Sequence, residues 1–118
     1  VGDAAGLTQF GVNIVTLDPG VWSSQRHWHS HEDEFVYVTE GELVLVTDAG
    51  EEIMRPGDCA GFKAGDREGH HLQNRSDKPA RFLVVGSRQE EDWGEYPDID
   101  MKFLPGRGGY TRKNGEKL

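Results

Sequence analysis

The interior stretch from Arg26 to Gly41 constrains the fold of this chain most strongly. It places His27, His29, His31 and Glu34 within eight residues and then continues into an apolar, strand-like segment. All five histidines of the chain fall in two places, residues 27–31 and 70–71. Expression tags lie at chain termini, so an interior cluster of this kind indicates a metal site instead.

The spacing of the first cluster predicts a shared patch of ligands. Alternation along a strand places His27 and His29 on one face, about 7 Å apart. If residues 30–33 form a hairpin loop, Glu34 lies opposite His29 on the next strand, with Cβ atoms about 4.5–5.5 Å apart. Two imidazoles and a carboxylate suit one divalent transition metal per chain, Mn, Fe, Co, Ni or Zn. The alternative is a solvated loop beside an acidic run, and His31 fits that alternative.

The second histidine pair opens a strand that we predict over residues 70–74. One face of this strand carries the more apolar set, His70, Leu72 and Asn74. The other face carries the set that we expect to meet solvent, His71, Gln73 and Arg75. His70 therefore points inward and is a candidate third nitrogen ligand. Taken alone, an inward histidine is also compatible with a hydrogen-bonded core residue.

Short alternating or apolar segments separated by turn residues fill the remainder of the chain, and none has a helical period. Sixteen glycines fit frequent tight turns. We predict strands over residues 8–17, 21–29, 34–39, 42–47, 51–55, 59–62, 70–74 and 80–87. The expected fold is all-β, a barrel or sandwich, and the chain is long enough for one domain over residues 1–118.

Charge and cysteine content restrict the possible partners. A net charge of −8 disfavours nucleic acid and anionic membranes. The apolar runs are too short to span a bilayer, and a lone cysteine, Cys59, cannot form an internal disulfide. We therefore expect a cytoplasmic protein with Cys59 as a buried, inert thiol, unless that thiol faces the ion and reacts.

Two motifs in this order resemble those of the cupin family. The first comprises Gly20, His27, His29, Glu34 and Gly41, with one extra residue between Gly20 and His27. The second comprises Gly57, Gly65, His70 and Asn74, with Lys63 where proline is usual and a longer loop before His70. The resemblance covers about residues 8–88. It implies a jelly-roll β-barrel (double-stranded β-helix), a divalent ion held by the three histidines and the glutamate, and frequent dimerisation.

The chain as a whole is similar to small bacterial cupins of the cupin-2 type, which are described either as uncharacterised or as sugar-phosphate-isomerase-like. This resemblance implies a metal-dependent enzyme of isomerase, epimerase or dioxygenase type acting on a small polar or anionic metabolite. The alternative is a non-catalytic binding or sensor module for a sugar or organic acid in the same pocket. Candidate residues of the substrate pocket are Ser23, Gln25, Val36 and Leu72.

Two further features indicate packing partners. The face opposite the proposed ligands carries an aromatic patch of Trp22, Trp28, Phe35 and Tyr37, from which we predict a homodimer. The C-terminal extension, residues 89–118, is polar overall. It nevertheless keeps the aromatic and apolar residues Trp93, Tyr96, Ile99, Met101, Phe103 and Tyr110. A disordered tail keeps few such residues, so we expect part of the extension to dock on the barrel.

Overall fold

The computed structural model describes residues 5–117; positions 1–4 and 118 of the predicted domain lie outside the described residues. Seven strands precede the extension: β1 Phe10–Leu17, β2 Glu34–Glu40, β3 Leu43–Thr47, β4 Gly50–Met54, β5 Cys59–Phe62, β6 His70–Gln73 and β7 Ala80–Ser87. The extension adds β8 Gly94–Tyr96, β9 Met101–Phe103, a 3₁₀ turn over Pro105–Arg107 and β10 Tyr110–Thr111. Among residues 5–117, no helix is long and apolar enough to cross a membrane.

Two antiparallel sheets enclose the core. The first has the strand order β1-β7-β2-β5 and the second has the order β4-β3-β6. Their facing side chains form one apolar cluster of Leu17, Val36, Val38, Leu43, Leu45, Met54, Leu72, Ala80 and Phe82. The predicted all-β jelly-roll fold is confirmed. Within the described strands, however, hydrogen bonding leaves the two sheets separate instead of closing them into one barrel.

The predicted strand over residues 21–29 is wrong. The segment touches the edge of β6 at two isolated bridges, Trp22 to Gln73 and His27 to His70. Ser24 Oγ donates to the neighbouring carbonyl of Gln25, and Ser23 Oγ accepts from the amide of Leu72 in β6. Such side-chain bonds compete with a regular ladder. The predicted hairpin between this segment and β2 is therefore also wrong, because β2 pairs with β5 and β7.

The chain crosses from one sheet to the other directly after β2. Gly41 has φ +77°, and a Cβ atom there would lie 2.8 Å from the carbonyl oxygen of Pro79. Only glycine fits this corner. The turn at Glu40–Gly41 thus joins strands of different sheets.

Two predictions about exposure are corrected. His71 and Gln73 are buried, because the segment over residues 21–26 covers this side of β6. The ring of Trp22 lies 4.9 Å from that of His71, and His71 Nδ1 donates to the carbonyl of Ser24 at 2.7 Å. Cys59, expected to be buried, is exposed on β5 beside Tyr37 of β2.

The C-terminal extension docks as expected. Its strands form a sheet of order β10-β9-β8, and its backbone contacts the histidine segment directly. The amide of Ser30 donates to the carbonyl of Trp93 at 2.7 Å, and the amide of Trp28 donates to that of Glu95 at 3.3 Å. Trp28 is only 5 % exposed, since the ring of Trp93 packs edge-on against it at 5.2 Å. Trp28 is therefore not part of an exposed patch, contrary to our prediction.

Arg26 fastens the extension at a second point. Its guanidinium donates to both carboxylate oxygens of Asp98 at 2.9 Å and to the carbonyl of Gly69 at 2.9 Å, and it also pairs with Asp48. These hydrogen bonds raise the pKa of Arg26 above its usual value and lower that of Asp98. Arg26 therefore links the extension to the barrel.

The docking predicts that Gly94→Ala destabilises the protein. A Cβ atom at Gly94 would lie 1.8 Å from the carbonyl oxygen of Trp28 and 2.5 Å from the ring of Phe103. We expect a loss of about 2–3 kcal/mol in the free energy of unfolding, measured by chemical denaturation. Gly61→Ala is the matched control, because its nearest neighbour would be the carbonyl oxygen of Glu34 at 4.0 Å. Equal stability of the two variants would contradict the docking.

Candidate metal centre

Three of the four predicted ligands converge at one end of the jelly roll. His27 sits at the bridge to β6, His29 follows in the segment that the extension holds, and Glu34 begins β2. One nitrogen or oxygen atom from each of these residues lies within 4.8 Å of the others. The two imidazole rings are 5.0 Å apart in an edge-on arrangement. The side chains thus meet across the two sheets, although the hairpin from which we predicted their meeting does not form.

The Glu34 carboxylate lies between two imidazoles. Its Oε1 accepts a hydrogen bond from His70 Nε2 at 2.9 Å, and its Oε2 lies 3.6 Å from His29 Nε2. Phe62 stacks on the His70 ring at 3.6 Å with an interplanar angle of 4°. His70 is buried and lines the inner cavity, but it falls outside the group formed by His27, His29 and Glu34. It contacts that group through the Glu34 carboxylate and through its backbone bridge to His27, whose ring lies 5.5 Å away.

The outer nitrogens of His27 and His29 are both engaged. His27 Nδ1 donates to the carbonyl of Gln25 at 2.9 Å, and His29 Nδ1 donates to the carboxylate of Asp92 at 2.7 Å. An imidazole whose Nδ1 carries the proton keeps its lone pair on Nε2, the nitrogen that a metal would take. The hydrogen bonds therefore prepare both rings for ligation through Nε2.

The protonation of the centre follows from burial and pairing. Burial lowers the pKa of His27, and the neighbouring His29 and His70 lower it further, so the ring is neutral at pH 7. Burial also opposes the charge on His29, but Glu34 and Asp92 outweigh it and raise its pKa to about 9. Burial raises the pKa of Glu34, whereas His29 and His70 lower it by more, which keeps the carboxylate ionised. At pH 7 the His29 ring therefore carries a proton on both nitrogens, and it would release the proton on Nε2 on binding an ion.

The group lies between two cavities. An open cleft of about 1170 Å³ meets its outer side, and a cavity of about 170 Å³ lies on its inner side, with His27, Glu34 and Val84 lining both. Three predicted pocket residues, Ser23, Val36 and Leu72, line the inner cavity. The fourth, Gln25, has an exposed side chain and lines neither cavity. His31 is exposed in the loop before β2.

Polar groups surround the outer cleft. Asn13 of β1, Arg88 after β7, and Tyr96 and Tyr110 of the extension all line it. The Arg88 guanidinium packs over Gly11, where a Cβ atom would lie 3.3 Å from its Nε and Nη2. Burial and the neighbouring Tyr110 raise the pKa of Tyr96 to about 12, so this phenol stays protonated. The cleft therefore offers hydrogen-bond donors and a cation beside the centre.

Sequence reasoning missed the residues that the extension contributes to this site. Asp92 holds His29, Tyr96 lies 5.6 Å from the ring of His27, and Phe103 lies 5.3 Å from that of His29. Asp92 stands in an acidic run that reads as solvated surface. The aromatic residues of the extension were the sequence feature that indicated its docking. They did not indicate which part of the barrel it contacts.

A second group of candidate ligands shares His29 with the first. It comprises His29, Glu32 and Asp92, again with ligand atoms within 4.8 Å. Its carboxylates accept backbone hydrogen bonds at 2.9 Å, Glu32 from the amide of Gln89 and Asp92 from the amide of His31. These bonds show that the two carboxylates connect the loop to the chain after β7.

Solved structures of similar sequence share the fold of this chain. The chain is 55% identical to a sugar phosphate isomerase of the cupin superfamily from Silicibacter pomeroyi, with a TM-score of 0.94 over 100% of this chain and 76% of that one. It is 30% identical to a proposed sugar phosphate isomerase from Acidithiobacillus ferrooxidans, with a TM-score of 0.86 over 93% of this chain and 70% of that one.

A curated relative matches more distantly. The tetracenomycin polyketide synthase protein TcmJ of Streptomyces glaucescens is 32% identical over 80 residues, 68% of this chain. The chain spans about half the length of that relative, 52%. The cupin domain family matches residues 13–86, which include most of β1, all of β2 to β6 and most of β7. This protein therefore belongs to the cupin family.

Proposed function

We propose that the protein is a metal-dependent isomerase that holds one divalent ion through His27, His29, Glu34 and His70. The observation that carries the proposal is the convergence of two imidazoles and an ionised carboxylate within 4.8 Å at the junction of two cavities. Neutral imidazole and carboxylate are the donors that Mn, Fe, Co, Ni and Zn accept. The residues present therefore fit such an ion.

His70 is the fourth proposed metal ligand, and it lines the inner cavity. Its Nε2 lies 2.9 Å from Glu34 Oε1, so the two side chains can serve as neighbouring ligands once that nitrogen gives up its proton. The stack on Phe62 fixes the plane of its ring. His70 thus contributes a third nitrogen, which was its predicted role.

The proposed substrate is a small phosphorylated sugar. Support comes from the 55% identical cupin described as a sugar phosphate isomerase, which matches the whole chain. The outer cleft is wide enough for such a ligand, and Arg88 supplies a cation at its wall. Guanidinium groups recognise phosphate by paired, charge-assisted hydrogen bonds. We assign recognition of the phosphate to Arg88.

The proposed chemistry moves a proton between neighbouring carbons of the sugar. A divalent ion in the centre would supply Lewis acidity that polarises a substrate carbonyl. The protonated phenol of Tyr96 can donate a hydrogen bond to a sugar hydroxyl in the cleft. We assign the transfer to Glu32, a half-buried carboxylate of the cleft outside the proposed ligand set. It would take the proton from one carbon and return it to the neighbouring carbon, while the hydroxyl proton passes to the carbonyl oxygen, so that no proton is gained or lost overall.

The first test of this function is metal content. Alanine at His27 or Glu34 should abolish stoichiometric metal binding, because each change removes one member of the converging group. The metal content of the untagged protein is measured by inductively coupled plasma mass spectrometry. Alanine at His31 or His71 should leave one ion per chain. His31 is exposed, and the ring nitrogens of His71 are occupied by Ser24 and Gln73. Equal loss of metal in the His31 variant would contradict the ligand assignment.

The second test is ligand class. Metal-loaded protein should bind hexose and pentose phosphates in calorimetry and interconvert their aldose and ketose forms, followed by NMR, whereas metal-free protein should do neither. Arg88→Leu should weaken binding of the phosphorylated sugars about tenfold or more and leave the unphosphorylated sugars unaffected. Binding of equal strength with and without metal would make the ion structural. Binding without turnover would favour the alternative, a sugar-binding module.

We further propose that the chain forms a homodimer through the outer face of the first sheet. Register places an apolar row of Val12, Val85 and Phe35 beside another of Ile14, Leu83 and Tyr37 on this face. Ile14 is 57 % exposed, and Phe35 and Tyr37 are about 40 % exposed. A contiguous exposed patch of this kind is typical of an interface between protein chains.

This interface predicts that Ile14→Glu yields a monomer. Burying a new carboxylate against the apolar rows is unfavourable, so sedimentation at micromolar concentration should show a dimer for the unaltered protein and a monomer for the variant. Ile53→Glu is the control, because Ile53 is comparably exposed at 50 % but lies on β4 of the other sheet. A monomeric unaltered protein would contradict the proposed dimer.

A further inference from the structure

We infer that Asp92 is a positioning residue of the metal centre, through which the C-terminal extension sets the orientation of His29. This inference rests on the proposed function, since it concerns a ligand of the same centre. Asp92 lies outside residues 13–86, the part of the chain that matches the cupin domain. The proposed role of Asp92 therefore belongs to the C-terminal extension and not to the matched cupin domain.

The two oxygens of Asp92 have separate partners. Oδ2 accepts from His29 Nδ1 at 2.7 Å, and Oδ1 accepts from the backbone amide of His31 at 2.9 Å. The side chain is 7 % exposed. A buried carboxylate is costly unless it is well paired, so both bonds stabilise this arrangement. The second bond holds the carboxylate at a fixed place relative to the loop that carries His29.

The backbone of the extension fixes the position of Asp92 itself. On either side of His29, the amides of Trp28 and Ser30 donate to the carbonyls of Glu95 and Trp93. In return, the amide of Trp93 donates to Ser30 Oγ at 2.9 Å. With the two bonds of Asp92, five hydrogen bonds join residues 28–31 to residues 92–95, and together they limit the movement of Asp92 relative to His29.

The bond to Asp92 determines which way the other nitrogen of the His29 ring, Nε2, faces. With Nδ1 bound to Asp92, Nε2 faces Glu34 Oε2 at 3.6 Å, which is the direction required of a ligand. Outer carboxylates that bind metal-ligating histidines fix the tautomer and the ring orientation, and their loss costs about 10–100-fold in metal affinity. Asp92 supplies this orientation for His29 from outside the barrel.

The test compares two variants that remove the same charge. Asp92→Asn keeps the size of the side chain, but an amide has one oxygen and must turn its NH₂ group toward either His29 or His31. Glu91→Gln removes a neighbouring carboxylate that is exposed. Zinc affinity is measured by competition with a chelator. NMR of nitrogen-labelled histidine in the metal-free proteins, with the pH raised until the His29 ring is seen to be neutral, shows which ring nitrogen carries the remaining proton.

The inference predicts three results. In the unaltered protein and in Glu91→Gln, the proton of neutral His29 resides on Nδ1. In Asp92→Asn it moves toward Nε2, the tautomer that free histidine prefers in water. Zinc affinity falls about 10–100-fold in Asp92→Asn alone.

Two results would overturn the inference. One is an unchanged tautomer in Asp92→Asn, which would mean that the carboxylate only anchors the loop. The other is an equal zinc affinity of the two variants. If the unaltered protein binds no zinc, the proposed metal function fails, and the tautomer alone decides whether Asp92 positions His29.

Discussion

The site depends on one partly buried cluster, in which the Glu34 carboxylate lies between the imidazoles of His70 and His29. Glu34 begins β2 in the first sheet and His70 begins β6 in the second, so their hydrogen bond joins the two sheets where the inner and outer cavities meet. A buried carboxylate needs such partners to remain ionised. The same pairing that stabilises the junction thus maintains a negative charge at the place proposed for the ion.

The C-terminal extension supports the segment that carries His29. Within the barrel, His29 belongs to an irregular segment whose carbonyl at His29 accepts from the amide of Gly65 at 2.9 Å. The docked extension adds backbone partners for Trp28 and Ser30 and the carboxylate of Asp92 for the imidazole. Tyr96 and Phe103 then wall the cleft beside the imidazoles. Stability and site geometry are therefore coupled, because the contacts that hold the extension also orient a proposed ligand.

The sequence predicted the regular parts of this fold well. Alternation and turn residues identified β5 and β7 with their observed bounds and β1 to within two residues at its start. The strand over residues 21–29 was wrong because side-chain hydrogen bonds of Ser23 and Ser24 replace part of a regular ladder. The burial of His71 depends on Trp22 covering it, a tertiary contact that strand parity cannot reveal. Asp92 was missed for the same reason, since only the docked extension distinguishes it from its acidic neighbours.

The most direct test of the account is anomalous diffraction from crystals of the untagged protein loaded with zinc or manganese. The account predicts one strong peak per chain at about 2.0–2.2 Å from Nε2 of His27, Nε2 of His29 and the carboxylate of Glu34, with His70 as the further ligand. A peak on the opposite side of His29, among Glu32 and Asp92, would contradict it. So would the absence of any peak near the three histidines and Glu34.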